Sequence, residues 1–138
     1  MASVFSRIVS GELPCYKVAE TSDFLAFLDI RPQVKGHTLC IPKREVDYLF
    51  HLSDEELAGL MLFAKRVALA IERIVPCKRI GVAVVGLEVP HAHVHLMPIN
   101  TVSDLGFRQP IDMSPEELAD LAAQISAQVH LVQATEDE

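Results

Sequence analysis

Residues 91–97 read His-Ala-His-Val-His-Leu-Met, and this alternation constrains the chain more than any other stretch. On a β-strand, successive side chains point to opposite faces. His91, His93 and His95 would then share one face, while Ala92, Val94 and Leu96 share the other and can enter a core. The pattern predicts a strand from His91 to Ile99, with neighbouring imidazoles roughly 6.5–7 Å apart at the backbone. Three of the chain's six histidines lie here. Packing alone is a poor reason for that, because each buried ring needs a hydrogen-bond partner.

The rest of the chain supplies a setting for such a strand. Ser53 followed by Asp54, Glu55 and Glu56 is a capping box, which satisfies backbone N–H groups that a helix start leaves orphaned. Leu57, Leu60, Met61, Ala64, Val67, Ala68, Ile71 and Ile74 follow at helical spacing, and Pro76 closes the run. This predicts a long helix over residues 54–75. Ser114, Pro115 and Glu117 repeat the device ahead of Leu118, Leu121, Ala122, Ile125 and Val129. Tyr16–Glu20 and Asp23–Leu28 read as a hairpin, Thr38–Ile41 as a strand ended by Pro42, and Arg79–Val85 as a strand leading into the histidines. Val4–Val9 is a candidate short helix. Short connections favour antiparallel pairing. The expectation is one α+β domain spanning residues 1–138: an antiparallel sheet, a long helix on one face and a C-terminal helix.

Charge and cysteine usage narrow the partners. Twelve Lys+Arg against 19 Asp+Glu leave a net charge of −7, little material for a nucleic-acid-binding face. Glu136, Asp137 and Glu138 read as a solvated, frayed tail. Cys15, Cys40 and Cys77 form no CxxC pair, as in a reduced intracellular protein. The start lacks a secretory pattern and no apolar run reaches a membrane span, so a cytoplasmic protein that binds neither membrane nor nucleic acid is expected.

Three chemistries suit three alternating histidines. They can be a solvated strand face. They can be metal ligands, completed by Glu88, His37 or Asp29. Or one imidazole can be a nucleophile whose neighbours fix its tautomer and move protons.

The stretch His91-Ala92-His93-Val94-His95-Leu96-Met97 resembles the hallmark of the histidine-triad (HIT) family of nucleotidyl hydrolases and transferases, three histidines alternating with apolar residues. FLAFLDIRPQVKGHTLCIPKRE, residues 24–45, and FSRIVSGELP, residues 5–14, are also similar to that family. The likeness covers roughly residues 3–99 and implies a HIT-like α+β fold, often paired as a homodimer, with helix 54–75 a contact.

The resemblance also implies roles. His93 would attack the α-phosphate of a purine nucleotide through Nε2, its Nδ1–H held by a backbone carbonyl, that of His91. His95 would stabilise charge or protonate the leaving group, and His37 would complete the polar network behind His91. Asp29 would accept from the ribose hydroxyls. Phe5, Ile8, Leu13, Phe27 and Ile30 would line the base slot. His51 and His130 are expected on the surface, and Lys43 and Arg44 in a solvated loop.

The pattern departs from the family just ahead of the triad. Gly86-Leu87-Glu88-Val89-Pro90 lacks the usual Gln and hydroxyl residue, and Glu88 stands where the hydroxyl would be. A carboxylate near a phosphate repels it unless turned away or paired. The zinc-type Cys pair of some relatives is missing too, with Ser6 and Arg7 in that region, so neither cofactor nor metal is expected. A nucleotide-binding module without turnover is one alternative to the enzyme, and a histidine-ligated metal hydrolase is another.

Overall fold

The computed structural model describes residues 2–107 and 109–137, with side chains described as far as Val132. The elements run α1 (Val4–Val9), β1 (Lys17–Glu20), β2 (Phe24–Leu28), β3 (Thr38–Pro42), α2 (Asp54–Ile74), β4 (Arg79–Ala83), β5 (Val94–Ile99) and α3 (Pro115–Asp137). All five strands form one antiparallel sheet in the order β1-β2-β3-β5-β4. α3 continues through Asp137, past the start of the expected frayed tail, and Glu138 lies outside the described residues. Among the described residues no helix is long and apolar enough to cross a membrane.

Both predicted capping boxes form. Ser53 Oγ accepts from the Glu56 N–H at 3.1 Å while Glu56 reaches back to the Ser53 N–H, and Ser114 and Glu117 exchange the same pair of bonds. α2 buries Leu60, Phe63, Ala64, Val67, Ala70 and Ile71. Each of the large side chains contributes about 1.5–3 kcal/mol by leaving water. Met61, expected on this stripe, is 40% exposed, because the helical turn puts it outside the line through Leu60, Ala64, Val67 and Ile71.

Strand pleating gives the sheet two unlike faces. Val18, Ala26, Leu28, Cys40, Val94 and Leu96 meet α2 and α3 in the main core. Leu25, Phe27, Leu39 and Ile41 point the other way and gather under Phe5 of α1. His95 pairs with Leu39 and so belongs to this second face.

The histidine strand is shorter than expected. β5 begins at Val94, and its register with β3 (Thr38 opposite Leu96, Cys40 opposite Val94) sets Pro42 against Ala92. Pro42 has no N–H to continue the ladder. The Ala92 N–H turns to the Val46 carbonyl instead, at 2.6 Å. His91 and His93 thus lie on the run-in to the strand.

Candidate active site

Each imidazole on the second face has a proton arrangement that its partners determine. The Gln33 N–H donates to His37 Nδ1 at 3.1 Å, so His37 carries its proton on Nε2. That Nε2–H donates to His95 Nδ1 at 2.9 Å. His95 must then carry its proton on Nε2, the far side of its ring from His37. His93 donates Nδ1–H to the His91 carbonyl at 2.7 Å. Its Nε2 keeps a lone pair and has no hydrogen-bond partner among the described residues.

His91 is set apart. It is fully buried, its Nε2–H donates to the Pro42 carbonyl at 2.7 Å, and its Nδ1 faces Ser3 Oγ at 2.9 Å. The Pro42 carbonyl is free for this bond because the β3–β5 ladder stops short of Pro42, which has no N–H.

His93 and His95 lie with ring centroids 4.8 Å apart and open on a cavity of about 520 Å³. That is ample for a nucleotide-sized ligand. Phe5 forms part of its wall, edge-on to His93 at 5.0 Å and to Phe27 at 5.5 Å. Asp29 and His37 line the cavity too, with Asp29 Oδ2 3.7 Å from His37 Nε2. Asp29 Oδ1 accepts the Arg31 N–H at 2.9 Å, which is the turn chemistry an Asp before Pro invites, and it leaves Oδ2 for other work.

Burial sets the electrostatics. It holds His37, His91 and His95 below the ordinary imidazole range. For His37 the nearby Asp29 carboxylate opposes the effect, and for His91 the Pro42 carbonyl and Glu45 do so. His95 is pushed furthest, to about 3, by burial and then by His93 and His37. Three neutral rings are the cheapest way to bury this cluster.

The remaining candidates are placed as follows. Phe27 is buried beneath Phe5, and Ile8 packs on the same cluster without reaching the cavity wall. Leu13 is half-buried and Ile30 is 69% exposed beyond the end of β2; neither is on the wall. His51 and His130 are exposed. Lys43 and Arg44 lie in a loop, Lys43 half-buried and Arg44 59% exposed, and they pair with Glu20 and Glu56 respectively.

Sequence reasoning missed much of the wall, including Arg31, Gln33, Val85 and Pro110 as well as Leu39 and Phe107. Leu39 was legible as the residue alternating with the buried Cys40. Phe107 comes from a loop, takes a positive φ of 50° and sets its ring edge 4.9 Å from His95, for which no local pattern is a signal. Glu88 does line the cavity.

The three alternating imidazoles do not converge on a point, since His91 faces Ser3 and Pro42. Among the described residues, Asp29, His37 and His95 are the group whose ligand atoms come within 4.8 Å of one another. An ion there would have to displace the His37–His95 hydrogen bond.

The family model described as HIT domain matches residues 10–102. The chain belongs to the HIT family. An adenosine 5'-monophosphoramidase of Schizosaccharomyces pombe is 39% identical to this HIT protein over 133 residues, covering 94% of the chain and 99% of the relative. A Zn-bound histidine triad family protein from Mycobacterium smegmatis superimposes with a TM-score of 0.82 at 29% identity, covering 98% of both chains. A hypothetical histidine triad nucleotide-binding protein from Sulfolobus tokodaii gives 0.80 at 28% identity, over 94% of this chain and 93% of the other. These solved HIT structures support the α+β sheet architecture.

Proposed function

We propose that this HIT protein is a nucleotide hydrolase or nucleotidyl transferase that cleaves the bond between a nucleoside monophosphate α-phosphate and its substituent through a covalent nucleotidyl-His93. The observation that carries this is the free Nε2 of His93, facing the cavity while its Nδ1–H is held by the His91 carbonyl. A neutral imidazole held in that tautomer is a competent nucleophile near neutral pH. The relative named as an adenosine 5'-monophosphoramidase supports the same chemistry.

In the first step His93 Nε2 forms a bond to phosphorus and the substituent departs with the electron pair of its own bond. His95 Nε2–H, oriented by the chain from Gln33 through His37, stabilises the phosphoryl charge or gives its proton to the leaving atom. Water, or another acceptor, then attacks phosphorus and releases the nucleotide, restoring His93. Asp29 Oδ2 accepts from the ribose hydroxyls. A purine packs on Phe5, with Phe27 and Ile8 behind it. No cofactor or metal takes part.

Residues 1–138 act as one domain in the cytoplasm, and two copies pair. Support for pairing comes from the open edge of β4, the last strand of the sheet, where Val82 is 50% exposed and Val84, just past its end, 41%. α2 packs against the same strand and leaves Leu62 57% exposed.

Incubation with adenosine phosphoramidate or a dinucleoside polyphosphate should release AMP. His93→Ala should lower the rate by about 10⁴-fold or more while sparing nucleotide binding, and a chelator should leave the rate unchanged. Glu88 on the cavity wall favours a second reading, a nucleotide-binding module without turnover. Tight AMP binding with no release from either substrate would establish that reading and end the first.

A further inference from the structure

Behind the cavity, a polar cluster joins α1 to the triad. The Ser3 N–H donates to Glu45 Oε1 at 2.6 Å, and the Ser6 hydroxyl donates to the same oxygen at 2.7 Å. Ser3 Oγ accepts the Ser6 N–H at 3.0 Å as the helix cap, and lies 2.9 Å from His91 Nδ1. Ser6 Oγ is farther from that nitrogen, at 3.4 Å.

The protons can be followed one by one. A carbonyl can only accept, so the Pro42 carbonyl requires a proton on His91 Nε2, and a neutral His91 must accept at Nδ1. The Ser6 proton is committed to the Glu45 carboxylate. Ser3 Oγ has taken a proton donor from the Ser6 amide, which leaves its own hydroxyl proton for His91 Nδ1. Glu45 fixes both serines and Ser3 fixes the ring.

The same ring belongs to the residue whose carbonyl holds His93. In the His91–Ala92 peptide, the carbonyl receives His93 Nδ1–H and the N–H goes to the Val46 carbonyl. Val46 adjoins Glu45, so two successive residues act on His91, Glu45 on the ring through Ser3 and Val46 on the following peptide directly. Ser3 is 5% exposed and His91 fully buried, which keeps competing water from the central bond. A helix of six residues has no stability of its own. Its place against the triad depends on these bonds and on Phe5, which meets His91 and His93 edge-on.

We propose that Ser3, Ser6 and Glu45 are positioning residues, which hold His91 in its Nε2–H tautomer and so keep its carbonyl aligned to the His93 Nδ1–H. The inference rests on the reading of His93 as the nucleophile for its kinetic consequence, but the tautomer itself is independent of that reading.

Nitrogen-15 NMR of histidine in the resting protein separates the two. Wild type should show His91 with an unprotonated, hydrogen-bonded Nδ1 and a protonated Nε2. In Ser3→Ala the buried Nδ1 loses its donor, and the His91 signals should broaden or shift toward the other tautomer. AMP release should then fall about tenfold in kcat, with KM changed less than twofold, the signature of misplaced chemistry rather than lost binding. Ser3→Thr, which keeps both hydroxyl and cap, should restore the wild-type values. Glu45→Gln keeps an acceptor for both serines and should stay near wild type, whereas Glu45→Ala, at an exposed position that threatens folding little, should share the kcat loss. Unchanged His91 signals in both Ser3→Ala and Glu45→Ala would overturn the proposal, as would a loss confined to KM. Wild-type protein that releases no AMP but shows the expected His91 tautomer would remove the nucleophile and retain the positioning of the ring.

Discussion

Four neighbouring imidazoles, hydrogen-bonded as two pairs, differ mainly in where their protons sit. His37 and His95 form a relay that ends in a donor facing the cavity, His93 ends in a bare nitrogen facing the same cavity, and His91 ends in neither. Burial enforces neutral rings at His37, His91 and His95. His37, His91 and His95 all sit below the usual 6.5 in the folded protein, His95 at about 3. The unfolded chain therefore takes up protons near pH 6.5 that the folded one refuses. Stability from these groups is whole above that pH and is lost as the pH falls from 6.5 toward 3. Glu20, Glu45 and Glu56, held at about 2 by their hydrogen-bond partners, lose their share only below about 4.5. Calorimetry between pH 7.5 and 5 should thus record a melting temperature that falls by roughly 5 °C before the carboxylates titrate. A flat profile over that interval would contradict the neutral burial of the rings.

At the scale of elements, the site depends on where strands begin and end. Pro42 stops the β3–β5 ladder and turns its carbonyl to His91. At the other end of β3, Gly36 takes φ +92° and delivers His37 to the cavity face. A Cβ at Gly36 would stand 3.0 Å from Pro98 Cγ and 3.2 Å from Val75 Cγ2, so the turn is pressed between the end of α2 and β5. Gly36→Ala combines backbone strain with that contact and should cost about 1–3 kcal/mol. Urea unfolding should show the loss as a lower midpoint with an unchanged slope. A midpoint equal to wild type would mean that the turn relaxes freely.

Over the whole molecule, α2 and α3 cover one sheet face and the cavity occupies the other, leaving β4 as an open edge. Unpaired strand edges with apolar side chains recruit another strand unless they are blunted. Pairing through this edge and the adjoining part of α2 predicts that Val82→Glu weakens self-association by about 2 kcal/mol or more, because it buries an unpaired charge at the contact. Sedimentation of wild type as a dimer and of the variant as a monomer is the expected result. A monomeric wild type would reject the pairing.

Local chemistry carried much of the fold and part of the site. Capping boxes, helical apolar stripes and a two-residue alternation are short-range patterns, so α2, α3 and the strand that carries His95 were legible from residue order alone, while the start of that strand was not. The Asp29 turn followed from residue types and spacing, whereas the Nδ1–H bond from His93 to the His91 carbonyl was an implication of the family likeness. Other features depend on residues far apart in the chain. That His91 is locked away by Ser3 across 88 positions, that a backbone N–H at Gln33 sets the His37 tautomer, and that Phe107 closes on His95 are results of packing. Residue type sets which groups can donate and accept; only the folded chain decides which of them meet, because hydrogen bonds and ring contacts form over distances that chain spacing does not encode.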